Sequence, residues 1–270
     1  MRTSRLRLAA LAGVAAAVLA TAPGRGLDGD FDPSAPTLEK QAGLEFTNAF
    51  AAYSEGDKSG ALALYRSAAD KGHIGALWKI GRMYATGDGI EPDPAQAFVA
   101  YQQMAQRHGN IPPNDRDAVY VASAFVSLAD MLRTGVDGSV EADAAAARNV
   151  YFYAASYFGN REAQYALGRM FLAGEGGPES SRQAARWLKL AADKGHIAAE
   201  AVLGEMLFDG NGVKRRPTLG LSMLTRARHF ARGEEREWIA EMQERAFSAA
   251  TEEVRRAATE IAAGQIDLGG

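Results

Sequence analysis

A nine-residue stretch, Ala68-Ala69-Asp70-Lys71-Gly72-His73-Ile74-Gly75-Ala76, returns 123 positions later as Ala191-Ala192-Asp193-Lys194-Gly195-His196-Ile197-Ala198-Ala199, with one change. A weaker form, Ala154-Ala155-Ser156-Tyr157-Phe158-Gly159-Asn160-Arg161-Glu162-Ala163, lies between them, and Gly159 to Gly195 is 36 residues. The same spacing recurs at a second mark. Gly168-Arg169-Met170-Phe171-Leu172-Ala173-Gly174-Glu175-Gly176 is followed after 36 residues by Gly204-Glu205-Met206-Leu207-Phe208-Asp209-Gly210-Asn211-Gly212. Gly81-Arg82-Met83-Tyr84-Ala85-Thr86-Gly87-Asp88-Gly89 is its first copy. A period of this size restricts the chain to a stacked array, because one unit cannot bury its apolar face alone.

One unit can be read from its residues. Leu77, Ile80, Gly81 and Tyr84 fall at helical spacing, so Ala76 to Ala85 reads as a short amphipathic helix. Gly87-Asp88-Gly89 supplies the positive-φ positions that end it and reverse the chain. Pro94 suits the first turn of a second helix, where its missing N–H has no partner to lose, and Ala97, Phe98 and Tyr101 continue that helix's buried face to Gly109. Ala76 and Gly81 are small where the partner helix must come close. The unit is an αα-hairpin, and successive hairpins are expected to stack into a right-handed superhelix. Gly72, Gly81, Gly87, Gly89, Gly159, Gly168, Gly174, Gly176, Gly195, Gly204, Gly210 and Gly212 are its structural marks.

These residues resemble a Sel1-like repeat, whose pattern is helix A with a Leu-Gly-x-x-Tyr core, a Gly-x-Gly turn, and helix B ending Ala-Ala-x-x-Gly-His/Asn. Ile80-Gly81-Arg82-Met83-Tyr84 and Ala191-Ala192-x-x-Gly195-His196 match it. Leu167-Gly168-Arg169-Met170-Phe171 has Phe for Tyr, and Leu203-Gly204-Glu205-Met206-Leu207 has Leu. The implied fold is an all-α, TPR-like αα-hairpin solenoid with a C-terminal capping helix segment. It is expected over residues 37–263, with a flexible tail over 264–270.

The N-terminus reads differently. Arg2, Arg5 and Arg7 precede an apolar run from Leu8 to Ala20, which is the pattern of a signal peptide over residues 1–22, with small residues for cleavage after Ala20 or Ala22. An uncleaved membrane helix is the alternative. No cysteine follows, which rules out a lipid anchor there, and the absence of cysteine from all 270 residues excludes disulfides, thiolate metal sites and cysteine nucleophiles. Residues 23–36, rich in Gly, Asp and Pro, read as a disordered lead-in. Loss of the three arginines takes the formal net charge from −3 to −6, so no basic surface favours nucleic acid, and no second apolar span follows the first. The mature chain is therefore expected in the periplasm.

The periodicity has defects. Leu38 to Tyr53 reads as a helix capping the first repeat, and Asp57 starts the next. Gly109 to Gly159 is 50 residues, 14 more than the period. Asn110 to Asp115, with Pro112 and Pro113, accounts for part of the excess. Val119 to Leu132 then reads as a longer A helix, and Gly135-Val136-Asp137-Gly138 replaces the usual turn. Such an insertion is either a functional projection or a tolerated surface loop. Pro217 to Phe230 reads as one more B helix, and Trp238 to Ala262 as a terminal pair or one long helix with the polar outer face a cap needs.

Catalytic patterns are missing. There is no Gly-x-Ser-x-Gly elbow, no Ser-x-x-Lys pair and no Gly-Lys step for a phosphate loop. His73, His108 and His196 sit next to turn glycines, where an imidazole is expected to bond the last carbonyls of a B helix, and His196-x-x-x-Glu200 alone does not make a metal site. No cofactor is implied, and the chain reads as a binding module rather than an enzyme. In αα-solenoids the A helices line the concave side, which makes Lys79, Arg82, Tyr84, Arg169, Glu200 and Glu205 candidate partner contacts, or else ordinary solvated positions. Trp78 and Trp187 read as core.

The whole layout is similar to a narrower family, the exopolysaccharide production negative regulators of α-proteobacteria. Four segments carry this resemblance: Ala61-x-x-x-Tyr65-x-x-Ala68-Ala69-Asp70-Lys71-Gly72-His73; Arg148-x-x-Tyr151-Phe152-x-Ala154-Ala155-Ser156-x-Phe158-Gly159; Leu172-Ala173-Gly174-Glu175-Gly176-Gly177; and Glu241-Met242-Gln243-Glu244-Arg245-Ala246-Phe247-Ser248. The last lies outside the repeats, so repeat physics does not require it. The resemblance implies an exported protein that holds a membrane sensor histidine kinase in its off state by binding its periplasmic domain. A general periplasmic scaffold or envelope-assembly adaptor with another protein partner is the alternative.

Overall fold

The computed structural model describes residues 36–267. The signal peptide expected over 1–22, and all but Pro36 of the lead-in expected over 23–36, lie outside the described residues. Among the described residues there are twelve helices and no strand, only an isolated bridge between Val136 and Val140. The helices are α1 (Leu38–Glu55), α2 (Lys58–Asp70), α3 (Ile74–Thr86), α4 (Pro94–His108), α5 (Ala118–Thr134), α6 (Ala144–Ser156), α7 (Arg161–Ala173), α8 (Ser181–Ala192), α9 (Ile197–Asp209), α10 (Pro217–Phe230), α11 (Glu235–Ala249) and α12 (Glu252–Asp267). Consecutive helices pair as five hairpins, α1–α2 to α9–α10, with the odd-numbered A helix packed on the even-numbered B helix. Each B helix also packs on the next A helix.

The period-36 glycines set the separation within a hairpin. A Cβ at Gly81 would lie 2.6 Å from Cε1 of Tyr101, and one at Gly168 would lie 2.8 Å from Cγ of Leu188. In the last hairpin two glycines face each other. A Cβ at Gly204 would lie 2.9 Å from the Gly220 carbonyl oxygen, and one at Gly220 would lie 2.5 Å from that of Gly204. Real Cβ atoms do not approach so closely, so here the glycines are required by packing rather than by dihedral freedom.

The Gly-x-Gly turns divide two tasks. Gly87, Gly174 and Gly210 close A helices in the left-handed conformation. The second glycines press on the start of the preceding hairpin's B helix. A Cβ at Gly89 would lie 2.2 Å from Cγ of Lys58, one at Gly176 2.2 Å from the Ala144 carbonyl, and one at Gly212 2.5 Å from Ser181. One turn thus ends a helix and locks one hairpin onto the one before it.

Most helix starts are capped by side chains, those of α5, α10 and α11 excepted. Asp57, Asp93, Asp143 and Ser180 accept backbone N–H bonds at the starts of α2, α4, α6 and α8. The turn histidines belong to the same class, which corrects the expectation that they bond the carbonyls of B helices. His73 and His196 are N-caps of α3 and α9, and their Nδ1 atoms accept from the N–H groups of Ala76 and Ala199 at 3.2 Å each. Asn160 does the same for α7, which explains why His and Asn alternate at this mark. His108, by contrast, is the last residue of α4, and Gly109 follows it with φ −60°, not in the left-handed region.

A continuous core runs from Ala49 to Met206, and a second cluster joins Phe208, Leu221 and Leu224 to Ile239, Ala246 and Ala258 of the cap. The cap is a pair rather than one long helix, with α11 and α12 both packed on α10. α12 continues through Asp267, past the Gly264 at which a flexible tail was expected. The long insertion is held down: the Tyr153 hydroxyl donates to the Gly109 carbonyl at 2.8 Å and the Tyr157 hydroxyl to that of Asn110 at 3.3 Å. Trp78 and Trp187, read as core, are half-buried and pack against the edge of the core.

Two glycine substitutions should separate packing from propensity. Gly204→Leu should lower stability by about 1–3 kcal/mol, the usual effect of overpacking. Gly43, in α1 with nothing near its Cβ position, should tolerate Gly43→Ala with a gain of about 0.5–1 kcal/mol. Urea midpoints measure both, and equal midpoints would contradict the packing role.

Candidate functional site

The six sequence candidates do not form one surface. Arg82 and Arg169 occupy equivalent positions on α3 and α7, exposed, each one helical turn after an aromatic residue. The Arg82 guanidinium lies 5.2 Å from the ring centre of Trp78, and Nη1 of Arg169 donates to the Tyr165 hydroxyl at 3.1 Å. Trp78 in turn leans on Tyr120 at 5.2 Å, and Tyr165 on His196 at 4.4 Å. The exposed row of the A helices therefore carries a repeated aromatic–arginine pair. Glu205 continues the row on α9, half-buried, where Arg245 of α11 binds it at 3.1 Å.

Lys79 lies beside this row, in a cluster at the first seam between hairpins. Its ammonium is 4.2 Å from the Tyr53 ring centre, Lys58 is 3.0 Å from the same ring, and the Tyr53 hydroxyl donates to Asp88. Burial pulls the Lys79 pKa below the usual lysine range, while the hydrogen bond from Tyr53 holds the Asp88 carboxyl below its ordinary value. Tyr84 points to the other side of α3, where its hydroxyl accepts from Arg66 of α2.

Glu200 is inside the protein, and this corrects its expected place on an open surface. Its side chain is 1% exposed, one carboxylate oxygen lies 2.6 Å from Nε of Arg226 on α10, and the other has no partner among the described residues. Burial pushes the Glu200 carboxyl up, against the opposing pull of Arg226. Repeat register explains the placement: Glu200 stands 123 residues after Leu77, which is buried, and Arg226 stands 123 after Gln103. Gln164 occupies the same position on α7, also buried, and donates to the Ala155 carbonyl at 3.1 Å. Next to it, Glu162 approaches Nε2 of the buried His196 at 2.8 Å, and the bond to His196 holds the Glu162 carboxyl below its usual range.

A feature the sequence reading missed is a groove of about 510 Å³ between α8, α9 and α10. Its floor is Ala185, Leu203, Leu207, Val213, Leu219 and Met223, and Arg182, Arg186, Lys189, Asp193 and Arg216 stand around it. The counterpart 123 residues earlier, around Arg66, Tyr84 and Ala100, is about 200 Å³. The signal was available in the register, since Arg182, Arg186 and Arg216 replace Ser59, Ala63 and Asp93.

With this geometry in view, comparison with known proteins is informative. The Sel1 repeat model matches residues 52–73, 74–109, 161–196 and 197–228. The exopolysaccharide production negative regulator of Rhizobium meliloti (strain 1021) is 41% identical over 255 residues, covering 94% of this chain and 92% of that one. The chain belongs to the family of exopolysaccharide production negative regulators. The protein of the same description from Rhizobium leguminosarum bv. viciae is 41% identical over 217 residues, covering 80% of this chain and 79% of that one. Among solved structures, a Sel1 repeat protein from Oxalobacter formigenes superposes with a TM-score of 0.63 at 18% identity, over 85% of this chain and 88% of that one, and shares the fold.

Residues 110–160 lie outside the repeat matches, yet α5 and α6 form a hairpin there. Ala129, fully buried, replaces the helix A glycine, and Tyr151 stands where Tyr101 does on α4. The Tyr151 hydroxyl donates to Asp130 on α5, and burial raises the carboxyl of Asp130 as well as the hydroxyl of Tyr151.

The family segments have structural reasons that extend beyond one repeat. Arg148 stacks 3.8 Å from the Phe171 ring centre and donates to the carbonyls of Glu175 and Pro178, so the second and third segments meet at one seam. A Cβ at Gly177 would strike Arg148 at 2.6 Å. The fourth segment ties the cap to the array. Gln243 accepts from Arg228 at 2.7 Å, Glu244 lies 3.2 Å from the same arginine, and Arg245 reaches Glu205.

The Glu200–Arg226 pair is testable by restoring the residues of the first repeat. Arg226→Gln alone should cost about 3–5 kcal/mol, because it leaves a buried carboxylate unpaired. The double variant Glu200→Leu/Arg226→Gln should return to within about 1 kcal/mol of wild type, since apolar replacement of a buried pair is often neutral. Denaturant unfolding reads both, and a double variant as unstable as the single one would contradict the repeat-register account.

Proposed function

We propose that the chain is an exported, periplasmic negative regulator of exopolysaccharide production that acts by binding the periplasmic domain of a membrane sensor histidine kinase and holding it inactive. The observation that carries the regulatory part is the 41% identity over 94% of the chain to a protein described as an exopolysaccharide production negative regulator. Binding rather than catalysis is supported by the Sel1 repeats and by a surface row in which exposed arginines stand beside half-buried aromatic rings on a helical array. Most ionisable groups with displaced pKa values sit at seams between helices, in structural pairs such as Asp130–Tyr151 and Glu162–His196.

Export rests on the Arg2 to Ala20 pattern, and among the described residues no helix is long and apolar enough to cross a membrane. The kinase as partner rests on the family resemblance. Repression of this kind is a population shift, and it needs tighter binding to the off state of the kinase than to the on state.

Deleting the gene should raise exopolysaccharide output, and deleting the kinase gene as well should abolish the rise. A phosphatase fusion to the full chain should be active only outside the cytoplasm. Unchanged output in the single deletion would contradict the regulatory reading. A rise that persists without the kinase would move the protein to another partner.

A further inference from the structure

The groove between α8, α9 and α10 has an internal control, its counterpart 123 residues earlier in the same chain. In that earlier groove Tyr84 fills the space and its hydroxyl occupies Arg66, which is the position of Lys189. In the later groove Leu207 replaces Tyr84, and the volume rises from about 200 to about 510 Å³. That volume lies in the range of about 300–1,000 Å³ typical of concave binding sites.

The charge changes together with the shape. Ser59, Ala63 and Asp93, which stand at the equivalent positions of the earlier repeat, become Arg182, Arg186 and Arg216. All three arginines are exposed, and among the described residues none of their side chains forms an ion pair or a hydrogen bond. The one carboxylate on the rim, Asp193, is held by Lys189 at 2.7 Å. Lys214 and Arg215 lie beside the rim, so this is a local excess of positive charge on a chain of formal net charge −3. Packing does not call for these cations, because the equivalent repeat folds without them.

We propose that this groove is the docking site for an acidic segment of the protein partner, in which carboxylates flank one or more large apolar side chains. The deduction deepens the reading of the chain as a regulator that binds a protein, and rests on it. The apolar side chain enters over Leu203, Leu207 and Met223, and the carboxylates meet Arg182, Arg186 and Arg216. A sugar polymer offers no apolar side chain for the floor. A lipid surface is too broad to enter a groove recessed between three helices. Charge pairing at an exposed rim mainly speeds association and fixes orientation, so binding should weaken as salt rises.

The test compares the wild-type chain with Arg182→Glu/Arg186→Glu/Arg216→Glu. A control, Lys40→Glu/Arg236→Glu/Arg256→Glu, has the same change in net charge at exposed positions elsewhere. A further variant, Leu207→Tyr/Lys189→Arg, refills the groove as in the first repeat. Two ligands are used: the periplasmic domain of the kinase, and a labelled hexapeptide Glu-Asp-Leu-Phe-Asp-Glu. The groove triple and the refilled variant should weaken binding of both at least tenfold, and the control triple less than twofold. If the kinase domain binds and the groove variants leave its affinity unchanged, the docking site is wrong and the regulatory reading stands. If the kinase domain does not bind wild type, the regulatory reading fails, and saturable peptide binding that the groove triple abolishes still supports the site. Failure to bind the peptide, or groove-dependent binding of anionic phosphatidylglycerol vesicles or alginate in its place, overturns the proposal.

Discussion

The array depends on one contact, made three times in the same register. A glycine in helix A lets a large side chain of helix B come to the backbone: Tyr101 on Gly81, Leu188 on Gly168 and Leu224 on Gly204. The approach fixes the spacing of the two helices, and that spacing fixes where the Gly-x-Gly turn emerges. The second glycine of the turn then lies against the start of the previous B helix, at Lys58, Ala144 or Ser181. A single steric constraint is thereby passed along the chain, which is how a solenoid stays rigid although each repeat touches only its neighbours. The α5–α6 hairpin obeys the same logic with Ala129 for glycine. Its longer connection is held by Tyr153 of α6 and by Tyr157 just after it, rather than by the repeat marks.

What the sequence made legible was whatever the repeat states more than once. The hairpin order and the packing glycines follow from spacing, and α10 runs from Pro217 to Phe230 as read. The histidines were misread because a residue between two helices can serve either one. Its Nδ1 lone pair suits the orphan N–H groups of the next helix, and this decides for the N-cap. Glu200 was misread because its face was judged on one helix, where a carboxylate suggests solvent. Aligning it with Leu77 places it in the core, where Arg226 makes its burial tolerable. The basic groove was missed because its residues come from three helices, so no single helical face reveals it.

Departures from the repeat are where this chain becomes specific. Some serve the fold. Arg228 with Gln243 and Glu244, and Arg245 with Glu205, attach the cap through a segment that repeat packing does not require. Arg148 clamps the turn at Glu175 and Pro178. Others, such as Arg182, Arg186 and Arg216 around the α8–α10 groove, have no side-chain partner among the described residues. A rigid array with a few such departures suits a protein that must recognise one conformation of its partner, since an array that does not deform can discriminate by shape and charge.

If the chain silences a kinase by binding, as proposed, it must favour the kinase's off state, because affinity without that preference would shift nothing. The decisive measurement is calorimetric titration of the purified chain against the periplasmic domain of the kinase held by mutation in its off and on forms. The account predicts a dissociation constant at least tenfold lower for the off form. Equal affinity for the two forms, or tighter binding to the on form, would contradict it.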